Sequence, residues 1–300
     1  MCGIVGIIGS HPVSQDLIDA LRRLEYRGYD SAGIATVENG HLERRRAEGK
    51  LRNLEQRLIE EPLKGFTGIG HTRWATHGKP TESNAHPHMS DKVSVVHNGI
   101  IENFRALRAD LASKGHVFDS DTDTEAVVHL VTEELNVCGD PVAAVRAAIG
   151  KLEGAFALGI VFAGHDDLMI AARRGSPLAI GHGDEVMYLG SDAIALAPFT
   201  DEITYLEEGD MAVLRRAGAE IFDNDGKVVT RPAIRSQASS FLVDKGNHRH
   251  FMAKEIHEQP EVISHTLSRY IDMAEACVDF PELGIDLANL SRITISACGT

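Results

Sequence analysis

The chain opens Met1-Cys2-Gly3-Ile4-Val5-Gly6-Ile7-Ile8-Gly9, and the rest of the fold is read outward from this segment. Ile4 to Ile8 reads as a buried strand, with Gly3, Gly6 and Gly9 leaving room for another backbone or a ligand to come close. Cys2 directly follows the initiator methionine, so loss of Met1 leaves a thiol and a free amine on one residue. An α-amine of pKa about 7.7–8.0 is roughly one-tenth unprotonated at pH 7, enough to act as a general base, and as an ammonium it favours thiolate. The same residue also reads as a small strand cysteine packed in a core. The first basic side chain beyond histidine is Arg22, so the segment has no basic leader of a secretion signal.

Moving outward, Val13, Leu17, Leu21 and Leu24 fall on one helical face and Gly28 supplies a stop. A strand Gly33–Val37, an Asn39-Gly40 turn and a strand from His41 make a hairpin, and Leu51, Leu54 and Leu58 mark a helix ended by Pro62. Residues 71–90 have no period and read as a long loop; Lys92–Val96 is a strand running into His97-Asn98-Gly99. Helices are expected over 103–114 and 123–136, the second opened by a Thr122/Glu125 capping box. From Gly154 to Val229 short strands alternate with turns, and a longer amphipathic helix is expected over 251–275, with a new strand at Arg292–Ser296. Separate runs of helices and antiparallel strands give an α+β class with helices covering sheets. The expected organisation is a domain over 1–240, a connector with a helix over 241–290, and the start of a further domain over 291–300.

The 300 residues give a prior near two domains. Thirty basic against 44 acidic residues leave a formal charge of −14, which argues against a nucleic-acid partner. The longest apolar stretch, Ala155–Ala163, is far below the roughly 18 residues of a membrane span, so no membrane partner is expected. Four scattered cysteines, Cys2, Cys138, Cys277 and Cys298, make no disulfide framework and fit a reducing, cytoplasmic setting; the last three read as buried thiols.

Chemistry-bearing residues cluster in three places. Asn98-Gly99 offers a side-chain amide beside an unobstructed backbone N–H, the makings of an oxyanion hole, although Asn-Gly is also a tight-turn dipeptide. The run His71-Thr72-Arg73-Trp74-Ala75-Thr76-His77-Gly78 places an arginine suited to a bidentate carboxylate clamp beside the chain's single tryptophan. Asp123, near a helix start, suits a substrate ammonium, or a helix cap. Two sharper-looking motifs fail. Asp119, Asp121 and Asp123 mimic a calcium loop, but the glycine position is Thr124 and the twelfth is Leu130. His71, His77, His86, His88 and His97 lack any zinc-ligand spacing and read as hydrogen-bonded loop histidines, so no metal is expected.

The motifs CGIVG at 2–6, RRLEYRGYDSAG at 22–33, HTRWATHG at 71–78, NAHPH at 84–88, HNGIIEN at 97–103, TDTE at 122–125 and FMAKEIHEQP at 251–260 together resemble the glutamine-dependent glucosamine-6-phosphate synthases, the glutamine:fructose-6-phosphate amidotransferases. They cover the glutaminase half of that family and the lead into its sugar isomerase half. The amidophosphoribosyltransferases share the opening cysteine and Gly-rich strand but fit the later wording less well. The resemblance implies an N-terminal nucleophile hydrolase fold, a four-layer αββα sandwich. It implies Cys2 as nucleophile and amine base, Asn98 and Gly99 as oxyanion donors, and Arg73, Trp74, Thr76, His77 and Asp123 as the glutamine site. Arg27 is a weaker candidate for supporting the nucleophile. The implied reaction releases ammonia from L-glutamine through a Cys2 thioester without a cofactor. Fructose 6-phosphate would be met only through a half beyond Thr300, in a full-length homodimer. A different class of reading is a glutamine-binding regulatory module without turnover.

Overall fold

The computed structural model describes residues 2–74, 79–236, 248, 251–268, 270–272, 277–278, 291–292 and 294. The chain divides into two compact units, Met1–Asp244 and Lys245–Thr300. The first begins on β1 (Gly3–Ile8), crosses α1 (Ser14–Leu24), and returns as the hairpin β2 (Ser31–Glu38) and β3 (His41–Glu48). Asn39 and Gly40 form its turn with φ of 52° and 79°, the left-handed pair that a two-residue hairpin loop requires. Helix α2 (Leu51–Glu60) and β4 (Thr67–Arg73) follow, then β5 (His88–Met89) and β6 (Val93–Ile101). Three helices, α3 (Phe104–Ser113), α4 (Asp123–Cys138) and α5 (Pro141–Ile149), lead to β7 (Gly154–Phe162) and β8 (Met169–Arg174). The unit closes through β9 (Ala179–Gly183), β10 (Val186–Gly190), α6 (Ala193–Leu196), β11 (Glu202–Tyr205), β12 (Met211–Arg215), β13 (Gly218–Phe222), β14 (Val228–Val229) and β15 (Ala233–Arg235).

These strands form two antiparallel sheets, one ordered β15-β11-β9-β10-β1-β4-β2-β3 and the other β14-β13-β12-β8-β7-β6-β5. Period-two alternation sorts their side chains into layers. Val5 and Ile7 face a cluster with Leu17 and Leu21 of α1, Leu54 of α2 and Leu196 of α6. Ile4 and Ile8 point the other way, into a cluster shared with Val96, Ala157, Val161 and Met169 of the second sheet. The outer face of that sheet, through Val95, Phe156, Leu158 and Ile170, packs under Leu111 of α3, Val127 and Val131 of α4 and Val145 of α5. The unit is therefore the four-layer αββα sandwich. Gly6 leaves the space that Met169 of the facing sheet fills, since a Cβ there would stand 2.6 Å from its sulfur.

Several local expectations are corrected. Residues 71–73 are the end of β4, and 82–84 form a 3-10 turn, so the long loop is shorter than read. Helix α5 was missed, although Asp140 caps it by accepting from Ala143 N at 2.7 Å and Pro141 sits in its first turn. Thr122 stands at the N-cap of α4 but makes no cap bond. Its hydroxyl is held by Ser120 and His88, and Glu125 reaches back instead to the N–H groups of Asp119 and Ser120, both at 2.8 Å. Cys138 is exposed, not buried, because it lies on the last turn of α4. The side chain of Cys277, all of Cys298 and most of the strand expected at 292–296 lie outside the described residues.

In the second unit α7 (Phe251–Ser268) ends earlier than expected and contains Pro260. The short strands β16 (Ile271–Asp272) and β17 (Cys277–Val278) pair antiparallel. Among the described residues, no helix is long and apolar enough to cross a membrane.

Candidate active site

Cys2 stands at the head of β1, in the middle of its sheet between β10 and β4. Its Sγ accepts from Trp74 N at 3.2 Å and lies 3.4 Å from Trp74 O. Trp74 is delivered there because Gly28 lets the Tyr26–Asp30 turn close onto Arg73, where a Cβ would stand 2.5 Å from the Arg73 carbonyl carbon. Asp30 N then donates to Arg73 O at 3.2 Å. Burial pushes the Cys2 thiol above its ordinary range, opposed by the Trp74 N–H, the positive chain terminus and Arg73. Raised in this way, the thiol gains from a base at hand in any nucleophilic role.

Asn98 and Gly99 arrive on β6 from the other sheet. They are not a turn: they pair with Ala157 and Phe156 in the ladder to β7, and the strand runs on to Ile101. Asn98 Nδ2 donates to Cys2 O at 3.0 Å while its Oδ1 lies 3.0 Å from His71 Nε2. Gly99 holds φ at +130°, and a Cβ there would meet Ala155 O at 2.0 Å, so the position admits only glycine.

A cavity of about 310 Å³ opens between these groups, lined among others by Cys2, Arg73, Asn98, Gly99, Asp123 and Ser176, within the size range of small-molecule sites. Arg73 is 3% exposed and Asp123 5%, so both charges are withdrawn from bulk water at the cavity wall. Arg73 Nη1 donates to Lys79 O at 3.1 Å. Asp123, the first residue of α4, accepts from Ile101 N at 2.9 Å through Oδ2 and places Oδ1 4.0 Å from His97 Nδ1. Trp74 is 49% exposed and meets Tyr29 edge to face at 5.8 Å. Arg27 is tied to Asp192, and through Nε to Tyr26 at 3.0 Å. Thr76 and His77 lie outside the described residues.

Residues 71–198 match the family described as glutamine amidotransferase domain. The chain is 65% identical to the isomerizing glutamine–fructose-6-phosphate aminotransferase of Bradyrhizobium diazoefficiens, over all of this chain and 50% of that protein. It is 63% identical to the enzyme of the same name from Mesorhizobium japonicum, over all of this chain and 49% of that one. The chain is similar to the glutamine amidotransferases. It spans about half the length of these curated relatives. A solved glutamine phosphoribosylpyrophosphate amidotransferase from B. subtilis superposes with a TM-score of 0.64 at 26% identity, over 76% of this chain and 50% of that one. The αββα sandwich of this chain is the N-terminal nucleophile hydrolase fold.

The cavity brings together candidates read from sequence, Cys2, Arg73, Trp74, Asn98, Gly99 and Asp123, with the weaker candidate Arg27 also on its wall. Ser176, Pro177 and Thr124, which the sequence does not single out, also line it, as does Thr122, read from sequence only as a helix cap. His86 and His97 line it too. The histidines are mostly not loop residues: His71 is on β4 and His97 on β6. Among the described residues, no group of three His, Cys, Asp or Glu side chains is placed to hold a metal ion.

Proposed function

We propose that this chain hydrolyses the side-chain amide of L-glutamine to glutamate and ammonia, with Cys2 as nucleophile once Met1 is removed. The observation that carries the reading is the meeting, in one cavity, of the Cys2 head of β1, a buried guanidinium, a buried carboxylate and the Asn98–Gly99 pair. Arg73 takes the substrate carboxylate and Asp123 its ammonium, which sets the amide carbon at a fixed reach from both. The Cys2 thiol passes its proton to the α-amine as sulfur attacks that carbon. The oxyanion accepts from Asn98 Nδ2 and Gly99 N, donors worth about 2.7–4 kcal/mol each of transition-state stabilisation. The ammonium returns its proton to the leaving nitrogen, ammonia departs, and water hydrolyses the γ-glutamyl thioester to glutamate and free thiol. The thiol, the α-amine, the two oxyanion donors and water handle every proton and bond, so the scheme calls for no metal or organic cofactor. Trp74, with Thr76 and His77, shields the bound amino acid.

The relatives' names support a further step: within a longer protein the ammonia is transferred to fructose 6-phosphate. Four cysteines without a disulfide pattern support a cytoplasmic setting. A binding module without turnover would need Arg73 and Asp123 but no thiol at the head of β1. Ammonia assay paired with intact mass tests the reading. The Met1-free chain should release ammonia from L-glutamine and none from L-asparagine, one methylene shorter; equal rates on both would overturn it.

A further inference from the structure

We propose that His71 is a positioning residue for this reaction: its Nε2–H locks the Asn98 amide so that an Asn98 N–H faces the oxyanion. This rests on the glutaminase reading. His71 does not line the cavity and is fully buried on β4, so it acts on chemistry only through Asn98. An asparagine amide offers two nearly isosteric ends, and only one of them donates. Asn98 Nδ2 faces the Cys2 carbonyl at 3.0 Å, and the other end needs a partner that enforces this orientation. His71 Nε2 stands 3.0 Å from Asn98 Oδ1 and 3.0 Å from the His97 carbonyl oxygen. The carbonyl only accepts, so Nε2 carries the proton, and a proton there admits Asn98 Oδ1 and rejects Nδ2. A flipped amide would set two donors against each other at His71 and two acceptors against each other at Cys2.

The imidazole itself is held. It stacks on His86 with centroids 4.3 Å apart and planes 24° apart. Its Nδ1 is buried with no partner among the described residues, which disfavours a second proton. Burial lowers the His71 pKa to about 3, so the neutral Nε2–H form persists across the working pH range. One amide proton of Asn98 is spent on the Cys2 carbonyl, and the second remains for the developing charge. The bond also crosses from one sheet to the other, so the relation between nucleophile and oxyanion donor is fixed through the sandwich.

His71→Phe keeps a ring on His86 and deletes the donor; His71→Gln restores an N–H at a similar reach. Steady-state kinetics on L-glutamine should show kcat down about 10–100-fold in His71→Phe with KM within about threefold, and recovery to within about fivefold in His71→Gln. In an Asn98→Ala background, His71→Phe should cost nothing further in kcat. Alkylation of Cys2 by iodoacetamide should keep its wild-type rate, which separates positioning from misfolding. Unchanged kcat in His71→Phe, equal loss of kcat and 1/KM, or full additivity with Asn98→Ala would overturn the proposal. Nitrogen-15 spectra of the wild-type chain decide the point even where a variant fails to fold. They should show His71 as the Nε2–H tautomer without titration between about pH 5 and 8. An Nδ1–H tautomer, or titration near 6.5, would refute it. A wild-type chain that releases no ammonia would instead defeat the glutaminase reading and leave the spectral test intact.

Discussion

Gly99 carries the tightest constraint of any single position in the cavity. A methyl group there would stand 2.0 Å from Ala155 O on the paired strand, at a φ of +130° that L side chains rarely adopt. Relief requires breaking the β6–β7 ladder beside Cys2. Gly99→Ala should therefore destabilise the chain by more than about 2 kcal/mol, read as a lowered Tm, and should also abolish ammonia release. A Tm within about one degree of wild type would show that the strand absorbs the methyl group. The chemistry of this residue was legible in sequence, since Asn-Gly after a strand signals donors near one another. Its geometry was not, because the same dipeptide marks a tight turn. What decides between the two is the pairing of Gly99 with Phe156, a partner far along the chain that no local pattern announces. Arg73 is legible beside the chain's single tryptophan and Asp123 near a helix start, and burial of both at the cavity wall turns these charges into a candidate site.

At the scale of elements, β4, β6 and the segment between them hold a histidine group that hydrogen-bonds into the start of α4. His86 Nε2 and His97 Nδ1 both meet Thr124 Oγ1, at 2.7 and 2.9 Å, and His88 Nε2 meets Thr122 Oγ1 at 3.0 Å. Burial lowers the pKa of His71 and His88 to about 3 and that of His86 well below its ordinary value. Above pH 6.5 these rings are neutral in both folded and unfolded chains and pH does not matter. Below 6.5 the unfolded chain binds protons that the folded chain refuses, so stability is lost as pH falls toward 3, by up to about 1.4 kcal/mol per pH unit for each ring. Glu125 adds loss in the same direction at lower pH. Although burial opposes it, bonds from His129, Asp119 and Ser120 hold its carboxyl at about 2. The midpoint of thermal unfolding should hold steady from pH 8 to 6.5 and drop steeply from 6.5 to 4.5; a flat profile would mean these rings take up protons while folded. The histidines were visible in sequence, but their role was not. Irregular spacing hid that β4 and β6, in different sheets, bring them face to face. The Thr122/Glu125 pair failed as a capping box for a similar reason: Thr122 is claimed by Ser120 and His88, and Glu125 by the turn before it.

Over the whole molecule, alternation along β1 settles the architecture. Val5 and Ile7 face helices while Ile4 and Ile8 face a second sheet, so a strand apolar on both sides must sit between two layers, and Cys2 at its head is fixed by the most buried part of the fold. Two sheets packed face to face then both open onto the cavity, one supplying Cys2 and Arg73, the other Asn98 and Gly99. Hydropathy and turn signals foretold helices over sheets; how many layers form depends on which face each strand gives to which neighbour, and that is a property of pairing. The central claim is that sulfur at the second position makes and breaks the bond to the substrate carbon. Its most direct test compares ammonia release from L-glutamine by the Met1-free chain and by Cys2→Ala, with glutamine binding followed in parallel by calorimetry. The account predicts that Cys2→Ala binds glutamine within about threefold of the wild-type affinity and releases no ammonia above background. Ammonia release by Cys2→Ala at a rate near that of the wild-type chain would contradict it.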